Sequence, residues 1–234
     1  MMLWDTDSRY YSYYIEVSLD QENWKKVVDY SSYSCRSIQA LYFKEEIAQY
    51  VRIVGTHSSA NSDFQLVFFE AYFKATIPKV IGDIICPSTN VATLSKKAMV
   101  IEGSNPNQLI NGNFSTYTDY GGYSDHTILK KGKIMVQLAQ PYMLSSMKLL
   151  LWDRDGRSYR YFIETSVDKS NWKIAADRRN EDCKSWQTLQ FDLRPVVYIR
   201  ITGTHNTANM TFHCVHLECP ASSDNKLSVD NEII

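Results

Sequence analysis

The sequence lacks a dominant charge. Lys and Arg total 25 against 26 for Asp and Glu, a formal charge of −1. That excludes the basic footprint of a nucleic-acid binder and an acidic tail. No apolar stretch approaches the ~18 residues that a membrane span requires. Met1-Met2-Leu3-Trp4-Asp5 carries no basic segment and no long apolar run, so no signal peptide is expected and the location predicted is cytoplasmic. Glycine (9) and proline (6) are sparse. The five cysteines, Cys35, Cys86, Cys183, Cys214 and Cys219, make an odd count that suits reduced thiols better than a complete disulfide framework. No H-E-x-x-H, G-x-S-x-G or phosphate-loop pattern occurs, so neither an enzyme nor a cofactor is expected. What is present is 44% hydrophobic residues with 16 Tyr, 9 Phe and 5 Trp. This is ample for a core and rich in strand-forming aromatics.

The chain repeats itself. Residues 3–70 overlie 151–218 at a constant offset of 148 with 31 identities in 68 positions. LWDTDSRYYSYYIEVSLDQENWK becomes LWDRDGRSYRYFIETSVDKSNWK, and YVRIVGTHSSAN becomes YIRITGTHNTAN. A further stretch, roughly 84–150, precedes the second copy and has no counterpart before the first. The organisation expected is the carboxy-terminal half of a first domain (1–73), a linker (74–83), a complete second domain (84–220) and a flexible tail (221–234). A half domain should expose strand edges and aromatics such as Trp4, Tyr13 and Phe43, and should be either marginal or docked on the second copy.

The period inside the unit is two. Tyr159, Tyr161, Ile163, Thr165 and Val167 alternate with Arg160, Glu164, Ser166 and Asp168, as Tyr11, Tyr13, Ile15, Val17 and Leu19 do with Ser12, Glu16, Ser18 and Asp20. Such alternation marks half-buried strands. Further strands are predicted at 133–138, 146–152, 172–176, 186–191, 197–201 and 211–218, with 92–108 as a long loop. No segment shows a sustained helical period. Many short strands separated by polar turns predict an all-β sandwich.

The order VQLAQPY, KLLLWD, GRSYRYFIETSVDKSNW and PVVYIRITGT resembles the discoidin domain, also called the coagulation factor V/VIII type C domain. The S-x-D-x-x-x-W element (Ser166, Asp168, Trp172; Ser18, Asp20, Trp24) carries much of the likeness. The resemblance implies a jelly-roll sandwich of the galactose-binding-domain-like type. LLLWD, CKSWQ, IRITGTHNTAN and FHCVHLECP resemble, more narrowly, the tandem discoidin domains that follow BTB and BACK domains in BTB-type proteins. The function implied is a non-catalytic protein-interaction module, the partner- or substrate-recognition end of a cullin ubiquitin-ligase adaptor-like protein, whose partner is unnamed. The alternative is a module for carbohydrates or lipid headgroups.

In this family ligands meet loops at one end of the sandwich, which points to WDRDGR and GTHNTAN. Trp152, Asp153, Asp155, Arg157, His205, Asn206 and Asn209 are the candidate ligand-binding residues, forming a polar cup with Trp152 or Tyr159 as its apolar face. The competing expectation is that Arg157 pairs with Asp153 or Asp155, and that His205 and Asn209 bond loop backbone. Asn111-Gly112-Asn113 stands where relatives have an Asp-Gly-Asp turn that can help bind calcium. Two Asn in place of two Asp favour a plain turn. His213 and His216 fall on opposite faces of one strand, so no metal is expected there. The resemblance would allow a Cys86–Cys219 disulfide, but Ala71 holds the matching place in the first copy and free thiols are expected.

Overall fold

The computed structural model describes residues 1–222; the tail from 223 onward lies outside the described residues. The second half of the chain forms a β-sandwich of jelly-roll type. Its strands are β6 (Val80–Ile81), β7 (Ile84–Ile85), β8 (Met99–Glu102), β9 (Ser124–Thr127), β10 (Ile134–Leu151), β11 (Tyr159–Ser166), β12 (Lys173–Cys183), β13 (Trp186–Asn206) and β14 (Thr211–Glu218). The order β12-β11-β13-β10-β14-β9 runs as one hydrogen-bonded sheet folded into two layers. β10 and β13 serve both. Ile134–Gln137 pair with Tyr198–Ile201, and after a register shift Ser146–Leu150 pair with Trp186–Gln190. The two pairs expected at each place are therefore two long, bent strands.

Alternation decides what fills the core. Tyr159, Tyr161 and Ile163 on β11 are fully buried, whereas Arg160, Phe162 and Glu164 between them are partly exposed. Each such aliphatic or aromatic side chain contributes about 1.5–3 kcal/mol by burial. They meet Val136, Leu138, Leu149, Ile199, Ile201, Phe212 and Leu217 in one cluster. Gly203 admits the Phe212 ring, since a Cβ there would lie 2.2 Å from it. The stretch expected as a long loop, 92–108, holds strand β8, because Val100 is buried and pairs with Val136.

The first half forms two small sheets. β2 (Tyr11–Ser18) lies between β3 (Lys25–Cys35) and β4 (Tyr50–Ser58), and β1 (Met2–Leu3) pairs with β5 (Leu66–Phe68). These five strands match β11, β12, the second part of β13, the end of β10, and β14 at the offset of the repeat. Tyr13, expected at the surface, is fully buried. Tyr30, Cys35 and Phe64 close over it, and Ile84 and Met143 join the same cluster from the second half. Trp4 is half-buried and Phe43 is exposed.

Hydrogen bonds tie the halves at the bend of β10. The Arg36 amide donates to the Ala139 carbonyl at 2.8 Å. Buried Gln39 donates from Nε2 to the same carbonyl at 2.9 Å and accepts the Tyr13 hydroxyl at 3.1 Å. Gln140 Oε1 takes the Ala40 amide at 2.7 Å while its Nε2 donates to the Ala40 carbonyl at 3.0 Å. The Tyr30 hydroxyl donates to the Asp83 carbonyl at 2.9 Å. The segment expected as a linker thus ends in a short hairpin, β6–β7, whose turn residue Asp83 and strand residue Ile84 meet the first half.

Candidate functional site

The two loops singled out in the sequence lie side by side. Ser158 donates its amide to Thr207 Oγ1 at 2.9 Å, and the Thr207 amide donates to the Ser158 carbonyl at 3.1 Å. Trp152 leaves β10 buried against Leu150 and Val215, with Tyr117 and Tyr123 alongside. Its Nε1 donates to the Thr118 carbonyl at 2.9 Å. It does not offer the open apolar face expected of it, because the guanidinium of Arg157 lies 4.1 Å above its ring. Of the two carboxylates open to Arg157 from sequence, the partner is Asp155, gripped through Nε at 2.8 Å and Nη2 at 2.6 Å. That fork holds the Asp155 carboxyl down to about 2. Asp153 instead accepts the Tyr117 hydroxyl at 2.5 Å, and burial together with Asp153 pushes this phenol up to about 12.

Asn206 and Asn209 tie their own turn. Asn206 Nδ2 donates to Asn209 Oδ1 at 2.7 Å and to the Thr211 carbonyl at 2.6 Å, while Asn206 Oδ1 accepts the Ala208 amide at 2.9 Å. His205 is exposed in strand register with Arg160, which bonds Asp182. The seven residues therefore do not make one open cup. Trp152, Asp153, Asp155 and Arg157 form a closed cluster, Asn206 and Asn209 a second knot, and His205 stands apart. The same chemistry recurs in the first copy. Arg9 forks onto Asp7 and lies 4.0 Å above Trp4, and the Tyr10 amide donates to Ser59. Recurrence here follows from what fixes the turn.

His213 belongs to this end as well. Its Nδ1 is 3.3 Å from the Tyr159 hydroxyl and its ring meets Tyr123 edge-on at 4.7 Å. Burial, with Arg157 nearby, lowers its pKa to about 4. His216 has different company, with Phe114, Trp186 and Glu218 around it. Among the described residues no group of three or more His, Cys, Asp or Glu could hold a metal ion. Asn111–Asn113 makes a plain turn, the Asn113 amide donating to Asn111 Oδ1 at 2.7 Å around Gly112 at φ +79. All five cysteines are free thiols.

Sequence reasoning missed a cleft of about 430 Å³ at the same end, between the close of β8, β9 and the turn into β10. Glu102, Asp125, Lys130 and Lys133 supply its charge, and Gly103 and Gly132 part of its lining. Lys133 pairs with Glu102 at 3.3 Å. Burial raises the Asp125 pKa, against hydrogen bonds from Ser104 and Asn105. His126 accepts the Gly203 amide on Nε2 at 2.8 Å, which places the ring proton on the buried Nδ1. Gly132 is required, since a Cβ there would lie 2.8 Å from the Thr127 carbonyl. The one available signal was Lys130-Lys131-Gly132-Lys133, a charged turn beside the short polar run Ser124–Thr127.

Residues 92–215 match the F5/8 type C domain, and the chain belongs to that family. It is homologous to BTB/POZ domain-containing protein 9. Identity to the Drosophila melanogaster protein is 50% over 229 residues, covering 97% of this chain and 32% of that protein. Identity to the human protein is 48% over 234 residues, covering 99% and 38% respectively. The chain thus spans between 32% and 38% of the length of these curated relatives. Among solved structures, the CBM32 of AlyQ in complex with 4,5-unsaturated mannuronic acid is similar at a TM-score of 0.43 and 18% identity, over 52% of this chain and 92% of that one. The family 32 CBM from C. perfringens NanJ in complex with galactose is similar at 0.43 and 16% identity, over 56% and 97%. No helix among the described residues is long and apolar enough to cross a membrane.

Proposed function

We propose that the chain is a non-catalytic binding module whose ligand is polar and hydroxyl-rich, of carbohydrate type, and sits in the cleft between β8, β9 and the turn into β10. The observation that carries this is the gathering of carboxylates (Glu102, Asp125) and ammoniums (Lys130, Lys133) around one open, glycine-lined cleft. A sugar hydroxyl both donates and accepts, so it can satisfy both sets at once. Arg157 and Asn206, by contrast, are already satisfied within their own loops and offer no free group to such a ligand.

Titration of the labelled chain with galactose- and uronate-bearing oligosaccharides, followed by amide shifts, tests this. Shifts centred on Gly103, His126 and Lys133, weakened about tenfold by Asp125→Ala, are expected. A response centred on Thr204–Asn209, or none across the panel, would overturn it.

A second function is favoured by the relatives, which match 97–99% of this chain and not the 92–215 module alone. Both copies would then form one recognition surface for a protein partner in a BTB-type, cullin-adaptor context. Residues 1–73 would be a half copy, joined through 74–83 to a complete module at 84–220 and seated on the bend of β10. The buried bonds of Gln39 and Gln140 support that seating, and the five free thiols suit a reducing, cytoplasmic setting. Deleting residues 1–73 should abolish capture of such a partner while leaving sugar binding intact; capture unaffected by the deletion would exclude it.

A further inference from the structure

The seam between the two halves buries polar groups that have no partner among the described residues. Ile134, Val136 and Leu138 of β10 face the core of the second half, so Met135 and Gln137 face outward. The first half covers that outward face. Tyr33 packs on the cluster of Met135, Val197 and Tyr198, and the Ser34 amide donates to the Val167 carbonyl at 3.3 Å. Gln137 stands opposite Tyr198 in the β10–β13 ladder, and both are 0% exposed. Neither polar atom of the Gln137 amide side chain has a hydrogen-bond partner among the described residues. Arg36, 3% exposed, is fixed two residues further along β10 by its amide on the Ala139 carbonyl. Its Nε is buried and likewise unpartnered.

The charge of Arg36 decides what these groups can hold. Its Nη1 donates to the Lys97 carbonyl at 3.1 Å, and Nη2 donates to the Asp5 and Asp7 carbonyls at 3.3 and 3.2 Å. Those acceptors are neutral. The nearby carboxylates are committed elsewhere, Asp5 to the Ser37 hydroxyl and Asp7 to the fork of Arg9. Burying a cation against carbonyls alone is costly, and it lowers the Arg36 pKa. The guanidinium and the Tyr198 phenol act on each other electrostatically, with the buried Ser34 hydroxyl beside Tyr198. Donors thus gather around one buried positive charge.

We propose that the seam holds a small monovalent anion of the halide type, bound by Arg36 Nε, the Gln137 amide nitrogen and the Tyr198 hydroxyl. Each of these groups can donate, and a spherical anion accepts from several directions at once. A water molecule meets the same hydrogen bonds but leaves the charge uncompensated. Two of the donors come from β10 and β13 and the third from the residue after β3, so the anion ties the first half to the second. This inference rests on the seating of residues 1–73 on β10 and not on the ligand proposed for the cleft.

The probe is chloride, titrated as its sodium salt into the whole chain against sodium gluconate at constant ionic strength. The readout is exchange of the Arg36 and Ala40 amides, which bond Ala139 and Gln140 across the seam. At chloride ten times its dissociation constant, both should slow about tenfold relative to gluconate. Gln137→Leu removes one donor without touching those two amides, and should weaken chloride about tenfold. Equal exchange in the two salts, with both amides protected, would overturn the anion and leave water at these groups. A chloride effect unchanged by Gln137→Leu would overturn the assigned site. Fast exchange of both amides in either salt would overturn the seating and the anion together. No outcome bears on sugar binding at the cleft.

Discussion

The two copies share 31 of 68 residues yet bury them differently. Tyr11 and Tyr13 are as buried as Tyr159 and Tyr161, but Val51 and Val67 lie open where Ile199 and Val215 are sealed. Strand identity and inward alternation are thus properties of the local sequence, while burial of the flanking strands is supplied by 84–150. The first copy obtains part of that cover elsewhere, from Ile84 and Met143.

Substitution of matched residues should widen this contrast. Phe212 is fully buried, so Phe212→Ala is expected to cost about 3–5 kcal/mol. Phe64 at the matching place is half-buried, and Phe64→Ala should cost less than half as much in chemical denaturation. The next effect reverses the order of the copies. Gln39→Ala strips the Tyr13 hydroxyl of its buried acceptor, for about 1–3 kcal/mol, while the Ala139 carbonyl keeps the Arg36 amide. Its counterpart Gln187 bonds only nearby carbonyls, and Gln187→Ala should be close to neutral.

A smaller effect is a pH dependence. The unfolded chain binds a proton at His213 near the ordinary value of 6.5, whereas the folded chain resists until about 4. Stability from this group is complete above pH 6.5 and is lost as pH falls towards 4. Burial lowers the His126 and His216 pKa values as well, so His213→Gln should flatten the slope without removing it. Gln65 already occupies that position in the first copy. The smallest expected difference is between Arg157→Ala and Arg9→Ala. Both break a solvent-screened fork stacked on a Trp, so each should leave the denaturation midpoint almost unmoved.

Much of this was legible in the sequence because alternation is local. The inward residues of β2 and β11, the polar turn at Asp168 and the tie between Arg157 and one flanking aspartate all follow from spacing. Asp168 Oδ1 indeed accepts the Ser170 and Asn171 amides at 2.8 and 2.9 Å. The burial of Tyr13 was not legible, since it depends on Ile84 and Met143, more than seventy residues away in the chain. Nor was the cleft, whose Glu102, Asp125 and Lys133 lie on three separate elements with no repeat counterpart to draw attention to them. Loop composition pointed to Trp152 and Asn206 as contacts, but aromatic stacking and side-chain amides are also what fix a turn.

Amide exchange compared between Tyr198–Ile201 and Tyr50–Ile53 in one sample tests the asymmetry most directly. A sealed β13 segment should exchange only through global unfolding, while the outward amides of the β4 segment exchange orders of magnitude sooner. Equal protection of the two segments would contradict the difference in strand pairing between β4 and β13.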